Sequence, residues 1–212
     1  MSISPQVFKT EPILDYDVLC KHLMPGDLMF CSGDSFLSEL IETGTKSPFS
    51  HVALLLPLPT TKDWLVLECL EETGVRCVTL KHAYLKNYCN TEKSYPGCLT
   101  FARFDEINDK KKELSHLYQT AFALTGCRYN HEEIMMIANR LLEKKLGYKK
   151  QSKIKPGKSF ICSEYVAICL KSVDIFVKYD SLGFVSPGDI ALSPDLNAVA
   201  WIYGDIDGNT AL

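Results

Sequence analysis

A change in hydrophobic period partway along the chain constrains its fold more than any other feature. Up to Phe104 the apolar residues come in short continuous runs: Leu28–Cys31, His51–Leu56, Trp64–Cys69, Val75–Leu80 and Leu99–Phe104. Runs this short, bounded by Pro, Gly and acidic turns, read as buried strands. Pro25-Gly26-Asp27 and the hairpin-like Glu71-Glu72-Thr73-Gly74 supply two of the turns. The spacing predicts an antiparallel meander. After Phe104 the period becomes helical. Leu114, Leu117, Tyr118, Ala121 and Leu124 mark one amphipathic helix, ended at Gly126. Ile134, Ile137, Ala138, Leu141 and Leu142 mark another, ended at Gly147. A third begins near Cys162, with Val166, Cys169 and Leu170 on its apolar face.

Shorter helices are expected over Asp15–Leu23, and behind Ser35 as N-cap with Phe36, Leu37, Leu40 and Ile41 at helical spacing. The tail reads as turns, at Ser186-Pro187-Gly188-Asp189, Ser193-Pro194-Asp195 and Gly204-Asp205. Strands first and helices second predict an α+β fold, with an antiparallel sheet or small barrel packed against helices. The chain has 212 residues, enough for one large domain with its own core. We divide it into a lead-in over 1–24 and a single domain over 25–212, with an insertion at about 131–158.

The nine cysteines run from Cys20 to Cys169, and none forms a Cys-x-x-Cys pair. An odd, scattered set predicts reduced thiols in the cytoplasm rather than a disulfide framework. Met1-Ser2-Ile3-Ser4-Pro5 lacks the basic start of a signal peptide. The longest apolar stretch, near Val52–Leu58, is too short to cross a bilayer, so no transmembrane segment is expected. A net charge of −3 argues against nucleic acid as a partner.

Among the cysteines, Cys162 stands out by position. It follows the loop Pro156-Gly157-Lys158 and opens a helix beside the polar Ser163 and Glu164. A helix N-terminus favours a thiolate, and its unpaired N–H groups can hold a developing oxyanion. Cys169, further into the same helix, reads as core. A thiol nucleophile still needs a base. His22, His82 and His116 lie in polar contexts, and His131 opens a helix. His51 opens the most apolar strand after the loop Ser47-Pro48-Phe49-Ser50, so the strand could hold it at a cleft; the alternative is a structural histidine. Glu68 is a carboxylate within the apolar run Leu65-Val66-Leu67-Glu68-Cys69. Buried there it would need a partner, and a strand next to that of His51 could supply one. The alternative is an edge-strand glutamate facing water.

Taken in order, Gly26-Asp27-Leu28, Ser50-His51-Val52-Ala53, Val66-Leu67-Glu68, Gly74-Val75 and Phe160-Ile161-Cys162-Ser163-Glu164 resemble the circularly permuted, YiiX-like branch of the NlpC-type papain-like peptidases. The resemblance covers about residues 25–195. It implies a permuted papain-like fold in which the histidine strand precedes the cysteine helix. It also implies a cysteine hydrolase with Cys162 as nucleophile, His51 as base and Glu68 as the group orienting the imidazole. Gly126-Cys127-Arg128-Tyr129 is similar to the Gly-x-x-Tyr element of that superfamily. By that match Tyr129, with Ser163, would line the oxyanion or substrate site. The sequence departs from the pattern in the long stretch between Tyr129 and Cys162, and core packing remains open for Tyr129.

The reaction expected is cleavage of an amide or peptide bond in a small peptide or acylated substrate, through an acyl-enzyme and without a cofactor. One alternative is a lipid-directed acyltransferase or esterase using the same Cys/His site, as in proteins of the lecithin:retinol acyltransferase type. Another is a non-catalytic binding module of the same fold. Residues 143–158 hold seven lysines against one glutamate. They could meet acidic lipid or another polyanion, or form a solvated loop. Met135-Met136 reads as core rather than an acyl-binding surface. Cys127 and His131 lack a second pair for a metal, and Asp205-Ile206-Asp207-Gly208-Asn209 lacks the closing glutamate of a calcium loop.

Overall fold

A computed structural model describes residues 12–32, 47–58, 60–109, 113–132, 159–179 and 184–204. The helices expected behind Ser35 and over Ile134–Leu142, Met135-Met136, the lysine-rich 143–158 stretch and Asp205–Asn209 lie outside the described residues.

Helix α1, Tyr16–His22, is capped by Asp15, whose carboxylate accepts from the Val18 N–H at 2.9 Å. The chain then turns at Pro25-Gly26 into β1, Leu28–Ser32, followed by β2, His51–Leu58, β3, Asp63–Leu70, and β4, Gly74–Thr79. Helix α2, Leu80–Leu85, leads to β5, Cys98–Phe104, and the short α3, Asp105–Asp109. Helices α4, Leu114–Ala123, α5, Cys162–Lys171, and α6, Pro187–Ala191, precede the final strand β6, Leu196–Tyr203.

The fold is α+β: one open sheet of six strands, ordered β4-β3-β2-β1-β5-β6, every described pairing antiparallel. The first four strands form the expected meander. The fifth does not extend it. β5 crosses to the far side of β1, with Leu28 opposite Ala102, and β6 then adds to β5. The turn-rich tail also contributes an edge strand and a short helix. Ser193-Pro194-Asp195 and Gly204 are its true punctuation; the eight residues of β6 between them are mostly apolar.

Both faces of the sheet are covered, which explains why β1 and β2 read as unbroken apolar runs rather than alternating ones. On one face Leu28, Phe30, Val52, Leu54, Leu67 and Cys69 pack with α4 and α5. On the other, Met29, Cys31, Ala53, Leu55 and Val66 pack with α1 and α2. The Tyr165 hydroxyl donates to the Ala121 carbonyl at 3.2 Å, fastening α5 to α4. Asp27, fully buried at the head of β1, takes a bidentate pair from Arg103 of β5, Nε at 2.6 Å and the terminal nitrogen at 2.8 Å. Desolvation raises the Asp27 carboxyl above its usual range, and the Arg103 contacts oppose it.

Gly74 has φ +69, and a Cβ there would lie 2.2 Å from the Cys127 carbonyl oxygen. The Val75 N–H donates to that same oxygen at 2.9 Å, and the Gly126 N–H donates to the Val75 carbonyl at 2.9 Å. This close approach pins the Gly126–Tyr129 segment to the start of β4.

Candidate active site

The site forms where the N-terminus of α5 meets the ends of the central strands. Helix α5 starts at Cys162, so the thiol sits on the first helical residue. The N-cap is Ile161, and an isoleucine side chain has no atom to accept a hydrogen bond from the first-turn N–H groups. The Ile161 N–H is taken by the Glu164 carboxylate at 3.4 Å, and the first helical bond runs from the Tyr165 N–H to the Ile161 carbonyl at 3.0 Å. Just upstream, Phe160 makes an isolated parallel bridge with Tyr129, and its carbonyl accepts from the Cys69 thiol at 3.2 Å and the Asn130 N–H at 3.1 Å. The approach to Cys162 is thus tied to β3 and to the segment carrying Tyr129.

His51 opens β2 opposite Cys31. The loop before it is fixed by the Ser50 N–H, which donates to the Cys31 carbonyl at 3.0 Å, and by Phe49, buried against Phe30 with ring centroids 5.1 Å apart. Continuing the Leu54–Leu67 register by one pair sets Glu68 opposite Ala53, on the same face as His51 and diagonal to it. The His51 Nε2–H donates to Glu68 Oε2 at 2.8 Å. Cys162 also interacts with the His51 ring, through a hydrogen bond and through its charge. The structure therefore brings Cys162, His51 and Glu68 together from three separate elements.

Glu68 has no solvent exposure, yet its carboxylate is well supplied with donors. Besides His51, Arg76 of β4 donates from Nε at 2.9 Å and pairs through its terminal nitrogen at 2.8 Å, both to Oε1. The Tyr84 hydroxyl of α2 donates to Oε2. Desolvation alone would raise the Glu68 carboxyl. The His51 hydrogen bond and charge, the Arg76 charge and the Tyr84 hydrogen bond outweigh it and hold it below its usual range. For His51, desolvation favours the neutral ring. The neighbouring Cys162 sulfur and Glu68 carboxylate outweigh that and raise the imidazole to about 10.

Burial pushes Cys31, Cys69 and Cys169 up, Cys169 to about 12, which keeps all three protonated at neutral pH. Cys169 lies fully buried in the core, and Cys162 retains 7% of its surface.

The remaining candidates are less directly engaged. The Ser163 hydroxyl is fully buried and donates to the Val185 carbonyl at 2.6 Å. Its proton is therefore committed, and only its backbone N–H could serve as a donor to substrate. The Tyr129 ring is half-buried against the core and stands edge-on to His131, centroids 5.4 Å apart. His131 in turn is 3.5 Å from Glu71. Sequence reasoning missed Arg76 and Tyr84. The signal for Arg76 was its position beyond the tight Gly74 turn, which sets it directly across from Glu68. Tyr84 left no such signal, because its contact depends on how α2 folds back over the sheet.

The segment before β6 braces both halves of the site. Val185 accepts from Ser163 of α5, while α6 abuts the loop before His51. α6 opens with a capping box: the Ser186 hydroxyl accepts from the Asp189 N–H at 3.0 Å, and Asp189 accepts from the Ser186 N–H at 2.8 Å. A Cβ on Gly188 would lie 2.5 Å from the Ser47 Cβ, so the absent side chain is what allows this approach.

Among the described residues, no group of three or more His, Cys, Asp and Glu side chains is arranged to hold a metal ion, and no helix is long and apolar enough to cross a membrane. No family model and no curated protein matches the sequence. Among solved structures, the chain is similar to the crystal structure of the metalloprotein YiiX from Escherichia coli O157:H7. The identity is 20% and the TM-score 0.49, over 84% of this chain and 97% of that one.

Proposed function

We propose that this chain is a cysteine hydrolase of permuted papain-like design that cleaves an amide or peptide bond. The observation that carries the reading is the imidazole of His51, which hydrogen-bonds the Glu68 carboxylate and also interacts with Cys162 at a helix N-terminus. Three residues from β2, β3 and α5 meet in the relative order that nucleophile, base and orienting group require. His51 precedes Cys162 in the chain, which is the permuted order.

His51 takes the proton of Cys162, and Glu68 stabilises the imidazolium and fixes the ring's orientation. The sulfur attacks the substrate carbonyl carbon. First-turn N–H groups of α5, left without a side-chain cap by Ile161, hold the oxyanion. Collapse of the tetrahedral intermediate breaks the C–N bond, and His51 gives its proton to the departing amine. The thioester is then attacked by water, which loses a proton to His51; the acid leaves and the thiol is restored.

The test is labelling with a thiol-reactive acyl probe, followed by peptide mapping. Cys162 is expected to react faster than each of the other eight cysteines, and both Cys162→Ala and His51→Ala should abolish the fast label. Equal labelling of the exposed thiols would overturn the reading. A substrate screen then separates the bond types: release of an amine supports amide cleavage, whereas release of a fatty acid would assign the same site to lipid-directed acyl chemistry.

A further inference from the structure

Glu68 faces a problem that the three-residue scheme leaves unsolved. Its carboxylate is fully buried, and the imidazolium beside it exists for only part of each cycle. When His51 hands its proton to the leaving group, that countercharge vanishes. A buried carboxylate left alone gains affinity for a proton, and the nearest proton is the one His51 must release. A second partner is needed whose charge does not change.

We propose that Arg76 is that partner and acts as a positioning residue for the Cys162/His51 centre. Its guanidinium is a permanent countercharge that keeps Glu68 a carboxylate while His51 passes between charged and neutral forms. The inference rests on the acid–base role given to His51 above. Its geometry is independent of that role. Arg76 stands opposite Glu68 in the β3–β4 register and contacts Oε1 through two nitrogens at 2.9 and 2.8 Å. His51 and Tyr84 share Oε2. The two carboxylate oxygens are thus divided: one belongs to the fixed charge, the other to the group that titrates.

The other titratable groups that the Glu68 charge acts on supply no positive charge. Cys31 of β1, Cys77 of β4, Tyr84 of α2 and Tyr88 beyond it are pushed up by burial and stay neutral at working pH. Cys69 on its own strand is likewise raised. Cys162 of α5 acts on His51 and brings negative charge when ionised. Guanidinium remains protonated throughout, so Arg76 alone among these groups offsets the carboxylate in both states of His51. Without it, His51 binds its proton more tightly and becomes a poorer acid toward the leaving group.

The experiment reads the His51 ring directly by NMR titration of histidine-labelled protein, without substrate. A Cys162→Ala background removes the sulfur's own contribution and brings the midpoint lower. In that background, Arg76→Gln should raise the His51 midpoint by about one pH unit, because a positive charge has left the cluster. Arg76→Lys, which restores the charge without the fork, should return it toward the parent value. An unmoved or lowered midpoint in a folded Arg76→Gln protein overturns the proposal. If Arg76→Gln fails to fold, Glu68→Gln is added. Recovery of the fold supports a countercharge role, and a double variant that stays unfolded overturns it. Failure of acyl labelling at Cys162 would sink the hydrolase reading and leave this titration unaffected.

Discussion

His51 and Glu68 meet diagonally across the β2–β3 pair, Nε2 to Oε2 at 2.8 Å, so the register of two strands sets the orientation of one imidazole ring. Glu68→Gln keeps an oxygen for His51 but removes the charge and leaves the half-buried Arg76 unpaired. Acyl labelling of Cys162 should slow by about a hundredfold or more. Stability in urea denaturation should drop by about 3 kcal/mol, the usual cost of stranding one member of a buried ion pair. A variant with wild-type labelling would remove Glu68 from the site.

Two shifts of opposite sign give the protein a defined pH response. The His51 imidazole is raised to about 10 in the folded state. Its contribution to stability is therefore complete below its ordinary titration range near 6.5 and is lost as pH rises through about 10. The Glu68 carboxyl is lowered, so its contribution is complete above the ordinary carboxylate range and is lost as pH falls below that range. Melting temperature against pH should decline on the alkaline side for the wild type and flatten there in His51→Gln. An identical alkaline slope in both proteins would show that another group is responsible.

Gly188 is the point where α6 touches the loop that delivers His51. In Gly188→Ala the new Cβ would sit 2.5 Å from the Ser47 Cβ and 2.8 Å from its hydroxyl. Overpacking of this kind costs about 1–3 kcal/mol. Relief by movement of the 47–50 loop should lower Cys162 labelling as well as stability. Ser47→Gly, combined with Gly188→Ala, opens the space again and should recover much of both losses. A Gly188→Ala protein that loses stability but labels normally would separate this brace from the site.

The Asp27–Arg103 pair lies at the head of β1, at the other end of that strand from Cys31, which stands opposite His51. Arg103→Met strands a buried carboxylate and should destabilise the fold by about 3–5 kcal/mol. Asp27→Asn, which leaves a neutral group among the same donors, should cost less. Urea unfolding of the two variants checks the order, and the reverse order would contradict the assignment of Arg103 as the essential partner of Asp27.

The candidate site was legible in the sequence to the extent that its members are locally unusual. Cys162 announces itself at a loop-to-helix junction, and Glu68 as a charge within an apolar run. The structure shows the partners that this charge requires. Arg76 and Tyr84 are ordinary in their own neighbourhoods, an arginine on a strand and a tyrosine on a short helix. Apart from the Gly74 turn that sets Arg76 across from Glu68, nothing local separates them from solvated or core residues. Ser163 shows the opposite difficulty: it is adjacent to Cys162 in sequence, but its hydroxyl turns to Val185.

The fold divides the same way. Hydrophobic period alone determined where the first five strands and helices α4 and α5 lie, because burial of an apolar stripe or run is a local property of the chain. It also determined the hairpin order of β2 to β4, since short turns leave neighbouring strands little choice. Only tertiary structure decided that β5 crosses to pair with β1 and that the turn-rich tail supplies β6. Those pairings join residues distant in sequence, and no local signal encodes them. The same long-range packing sets the α5 N-terminus beside the start of β2. The sequence marked a thiol, an imidazole and a carboxylate as separate oddities; the sheet register and the docking of α5 made them neighbours.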